Sequence, residues 1–203
     1  MSDEQDVAAD VAGVAGADWS DEHRFAVVVG IPAVRDAVGQ RMAQARAPMS
    51  AEEFLARVGT VLPNLDGALQ RGQQRGRALG QSLGTRTGKV RDGECSAPIG
   101  WVIADALCSL AGRAQAIQSV EQGEDGCTLV AAIPSDRKTF GGVLRIGLTR
   151  IPDGRCAVHA EAEIPGQLID WGKSKQTLAD LFTDLKVDPG TGTDGGKPRK
   201  LKK

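Results

Sequence analysis

Three segments between residues 127 and 164 alternate apolar and polar side chains. The apolar positions are Cys127, Leu129, Ala131 and Ile133 in CTLVAAI, and Leu144, Ile146 and Leu148 in VLRIGLT. In CAVHAEAEI they are Cys156, Val158, Ala160, Ala162 and Ile164. A period of two puts each set on one face of a strand. One apolar and one polar face per strand predicts an antiparallel sheet covered on one side only. AQAIQSVEQ, which ends just before the turn letters GEDG, reads as a further strand, and Pro152-Asp153-Gly154 joins the last two runs as a hairpin.

The segments able to cover such a sheet have helical spacing. Pro98 opens a helix whose stripe is Ile99, Val102, Ile103, Ala106, Leu107 and Leu110. A closing helix is expected from about Asp170, its N-cap, to Leu185, with Trp171, Leu178, Leu181, Phe182 and Leu185 facing inward and Lys173 and Lys175 in solvent. Upstream, TGKVRDGEC carries a first strand, and FAVVVG (25–30) fits either a strand or the start of a buried helix. Pro32 suits the first turn of a helix reaching about Arg46. Ser50 and Glu53 form a capping box that opens AEEFLARVGTVL. The fold class is therefore α+β: an antiparallel sheet covered by a C-terminal helix and preceded by an N-terminal helical region. Four segments follow: an acidic head (1–18) expected to be disordered, a helical region (19–84), a sheet-and-helix domain (85–186) and a basic tail (187–203) expected to be disordered.

With 41% hydrophobic residues but only three Trp, four Phe and no Tyr, the core must be mostly aliphatic. No run approaches the roughly 18–20 apolar residues of a membrane span. The opening MSDEQDVAAD lacks the features of a signal peptide. The expectation is a cytoplasmic protein, and the Ala, Gly and Arg usage suits a GC-rich bacterial genome. Cys95, Cys108, Cys127 and Cys156 form no close pair, so reduced, part-buried thiols are expected, with no metal and no cofactor.

The strand that enters a short helix through Ala-Pro in KVRDGECSAPIGWVIADAL, and the terminal helix QTLADLFTDL, resemble a compact member of the helix-grip (START/SRPBCC-like) superfamily. The stretch PGQLIDWGKSKQTLADLFTDL also resembles the sheet-to-helix end of small bacterial α+β domains without an assigned role. The resemblance covers about half the chain and implies a sheet gripping a helix, sometimes around an apolar ligand. This chain carries fewer strands than the usual grip fold.

Few residues suggest chemistry. Gly166 and Gly172-Lys173-Ser174 imitate a phosphate loop, but five residues separate the glycines where four are needed, and Asp170 sits where phosphate should lie. GTGTDG (190–195) precedes no helix, which excludes a dinucleotide fingerprint. His159, Glu161 and Glu163 share the polar face of one predicted strand, an arrangement open to general acid–base work or to a solvated charge pair. A carrier would hold a small apolar ligand between the sheet and the helix 170–185, lined by Leu129, Ile146, Val158 and Phe182. A third candidate is the segment in which Gly72, Gly76, Gly80 and Gly84 recur every four residues. With Arg71, Arg75 and Arg77 beside them, Gly72 and Gly76 read either as a docking face for an acidic partner or as part of a poorly stable helix, since each interior glycine costs about 1 kcal/mol against alanine. The tail KPRKLKK could meet an anionic surface, yet it has no interleaved aromatics to stack bases, which argues against nucleic acid. The preferred expectation is a non-enzymatic accessory protein that binds another protein. The alternatives are an apolar-ligand carrier and an enzyme using His159.

Overall fold

The computed structural model describes residues 19–45, 49–61, 88–135, 141–164 and 172–188. Along the chain these form α1 (Phe25–Gly30), α2 (Pro32–Ala45), α3 (Ala51–Val61), β1 (Lys89–Cys95), α4 (Ile99–Gly112), β2 (Ile117–Gln122), β3 (Gly126–Ile133), β4 (Gly142–Ile151), β5 (Arg155–Glu163) and α5 (Lys173–Asp184). The strands make one antiparallel sheet in the order β1-β5-β4-β3-β2. β2 to β5 run as a meander, while β1 reaches the far edge and pairs with the last strand. The fold is α+β, as the alternating runs predict.

Every apolar position named above in the three runs is buried, and together they make the covered face. β2 needs an irregularity to join them. The register shifts between Ile117 and Ser119, which lets Ile117 and Val120 both turn inward although three residues separate them. The turn after β4 places Asp153 and Gly154 at φ 65° and 64°, the left-handed region that an Asp-Gly pair tolerates.

α4 occupies the middle of the helical layer. Its predicted stripe is buried, but so are Ala104, Cys108, Ser109 and Ala111 on its other side. The reason lies outside the helix: β4 and β5 contact one side of it, while α2, α1 and α5 contact others. Its N-terminal turn is crossed by the chain at 19–22. The Gly100 N–H donates to the Ser20 carbonyl at 2.8 Å, and a Cβ at Gly100 would lie 2.3 Å from the Trp19 carbonyl oxygen.

FAVVVG is a helix. Its buried residues Phe25, Val28 and Val29 follow i, i+3, i+4 spacing, while Val27 is 40% exposed. Gln122 at the end of β2 ties it down. The Gln122 side-chain oxygen accepts from the Phe25 N–H at 3.0 Å, and its Nε2 donates to the His23 carbonyl at 3.0 Å. Gln122→Ala leaves both groups without that partner and is expected to cost about 1–3 kcal/mol in urea unfolding. A cost below a few tenths would show that water replaces the amide.

Only half of the predicted capping box forms. The Ser50 hydroxyl oxygen accepts from the Glu53 N–H at 3.1 Å, whereas the Glu53 carboxylate turns to Arg57, one turn on, at 2.7 Å. In the same core, Phe54 and Val58 of α3 pack with residues from α1, α2, α4 and the sheet.

The closing helix begins at Lys173, and Gly172 at φ 84° holds the N-cap position expected of Asp170. Asp170 and Trp171 lie outside the described residues. Lys173 is also not simply solvated: its Nζ donates to the Pro134 carbonyl at 2.6 Å. Leu178, Leu181, Phe182 and Leu185 are buried as predicted, and α5 lies on β1 and β5. Arg91 of β1 stacks over the Phe182 ring at 4.4 Å. Asp184 accepts from Ser109 at 2.7 Å and from Arg113, which joins α5 to α4.

Candidate functional site: the open face of the sheet

The strand register decides which side chains meet on the face that no described helix covers, the open face. Asp92 of β1 stands directly across from His159 of β5, and Gly147 of β4 faces His159 from the other side. His159 Nδ1 and Asp92 Oδ1 are 2.5 Å apart, with 59% and 44% of the two side chains exposed. One step along, Glu94 pairs with Arg155 at 2.6 Å. Gly147 leaves the floor bare between His159 and Thr128: a Cβ there would meet His159 and Thr128 only at ordinary contact distances of 3.7–3.9 Å. The result is a shallow depression of about 270 Å³, bordered by Asp92, Glu94, Gly147, Thr149, Ala157 and His159.

Of the acid–base candidates, His159 is at this depression, but its carboxylate partner is Asp92. Glu161 and Glu163 lie further along β5 on the same face, opposite Arg145 and Val143 of β4. Asp92 is 67 residues away in the chain. KVRDGEC is legible as a strand, but its neighbour and register are not, and only these place Asp92 beside His159. Leu129, Ile146, Val158 and Phe182 lie in the main core, on the covered side of the sheet. Arg71, Gly72, Arg75, Gly76 and Arg77 lie outside the described residues.

The four cysteines are buried and unbridged. Burial pushes each thiol up to about 12, because a thiolate there would lose its hydration. Cys95 further donates to the Leu185 carbonyl at 3.1 Å. At pH 8 the native protein is therefore expected to leave all four thiols unlabelled by a disulfide reagent, and denaturant should release four. Fast labelling of one native thiol would contradict the packing around it. Among the described residues, no group of three or more His, Cys, Asp or Glu side chains could hold a metal ion. No described helix is long and apolar enough to cross a membrane. No family model, curated protein or solved structure matches the chain.

Proposed function

We propose that the chain is a non-enzymatic interaction protein that meets another polypeptide with the open face of its sheet. The observation carrying this reading is the asymmetry of the sheet: helices cover one face, and the other presents a shallow floor of small residues ringed by charge. A contact surface suits that shape. The exposure of His159 and Asp92 favours it over acid–base catalysis, because charges left in water gain little from a neighbouring dipole and exclude no solvent from a reacting group. A carrier would need its ligand on the covered side, among Leu129, Ile146, Val158 and Phe182. Of those four only Val158 lines the depression, whose other side chains belong to the open face.

The helix-grip kinship belongs to the same proposal. Its support is topological: β1 pairs with the last strand, and α4 connects β1 to β2 while lying against β4 and β5. On that reading the gripped object is α4 itself. A reducing, cytoplasmic setting suits four free thiols, two of which, Cys95 and Cys156, face one another across β1 and β5.

Photo-crosslinking in cells tests the proposal. A benzophenone side chain at Gly147 or Thr149 is expected to capture another polypeptide, while the same group at Arg35 or Arg57 on the helical side is not. Equal capture from both sides, or none from the open face, would sink this reading. A probe at Arg75 gives the basic glycine-lined segment its own test as a second contact.

A further inference from the structure

Among the described residues the sheet ends at β1, and part of its outer edge has no main-chain partner. The Glu94 carbonyl points away from β5 and accepts from the Asp188 N–H at 3.0 Å. In an antiparallel strand the main-chain groups of every second residue point the same way. Those of Val90 and Asp92 therefore also point outward, and no main-chain partner beyond β5 is found for them among the described residues. The side chains of Val90, Asp92 and Glu94 stand on the open face, and among the described residues Val90 is one of two large apolar side chains that are well exposed.

Charge on that face is one-sided. By register it carries Asp92, Glu94, Glu121, Glu161 and Glu163 against Arg145 and Arg155. Building on the interaction reading above, we infer that the partner is an extended, lysine- or arginine-rich segment that adds to the sheet as a sixth strand along Val90–Asp92. Its main chain takes up the open donors and acceptors, and its cationic side chains stand across from Asp92 and Glu94. A second copy of β1 fits poorly in the same place. Antiparallel self-pairing sets Val90, Asp92 and Glu94 against the same three residues, and like charges opposite one another oppose pairing.

The probe is a blocked six-residue peptide of alternating lysine and valine, titrated into the full chain and followed by amide NMR and hydrogen exchange. Exchange at Val90 and Asp92 is expected to slow on binding. Methylating every second peptide nitrogen on the pairing edge, or replacing lysine by glutamate, should each weaken binding by about tenfold or more. Val90→Pro removes an outward N–H while leaving the β5 ladder intact, and should abolish binding with the melting temperature nearly unchanged. Asp92→Lys supplies a second variant should the proline disturb the strand. Absence of peptide binding, equal binding of the methylated peptide, or shifts centred on Gly147 without protection at Val90 and Asp92 would overturn the inference. Failure here with crosslinking from Gly147 retained removes the sixth strand alone; loss of both removes the interaction reading.

Discussion

Gly126→Ala is expected to destabilise the protein by about 3 kcal/mol or more, at or beyond the upper end of ordinary overpacking. A Cβ on Gly126 would lie 1.9 Å from the Leu148 carbonyl oxygen and 2.9 Å from Thr149 Cα, both backbone atoms of β4. Neither atom can move without breaking the pairing of β3 with β4, which holds the middle of the sheet. Gly147 supplies the control. It lies on the neighbouring strand, but an added methyl meets only ordinary contacts, so Gly147→Ala should stay within about 0.5 kcal/mol of the parent. Urea denaturation of the two variants reads the contrast directly. If Gly126→Ala also falls within that margin, the backbone of β4 does not approach β3 as described.

Phe54→Ala should cost about 3–5 kcal/mol, because the ring is fully buried and its removal leaves a large cavity. Against a typical total of roughly 5–15 kcal/mol, that is enough to leave the chain marginal. The test also reaches the architecture. Phe54 belongs to α3, which packs on β2, and its cluster runs without a break into α4 and the sheet. Loss of the ring should therefore lower the stability of helices and sheet together, with tryptophan fluorescence and far-ultraviolet circular dichroism unfolding in one coincident transition. Separate transitions, with the sheet holding its parent midpoint, would show that the segment before residue 85 folds as its own unit.

The open and covered faces were legible because a period of two survives any rearrangement of neighbours. Leu144, Ile146 and Leu148 share a face whatever strand lies beside them. Positions that depend on a partner far along the chain were not legible. The alternation makes His159 a surface residue, but it cannot name Asp92. The stripe on α4 identifies one buried side, while burial of Cys108 and Ala111 comes from helices elsewhere in the chain. Gly126 closes the turn letters GEDG in the sequence, yet it is a strand residue whose missing side chain makes room for Leu148. At α5 the cap preference of Asp170 gave way to Gly172, whose left-handed backbone redirects the chain just before Lys173.

The pairing of β1 with β5 also constrains the order in which this protein can be made. Lys89 meets Ala162, and Cys95 meets Cys156, so the first strand must await a partner emerging some sixty to seventy residues later. At synthesis rates of about 5–20 residues per second, that is a delay of roughly three seconds or more. The hairpins of β2 to β5 need only their own turns and can close in microseconds once released. The nascent chain thus carries β1 with neither edge paired and α4 with its sheet side uncovered. Docking of β1 is the long-range closure that completes the sheet, and its sequence separation makes it the step expected to be slowest. Until then, the strand that ends as the open edge of the mature sheet is exposed along both of its sides.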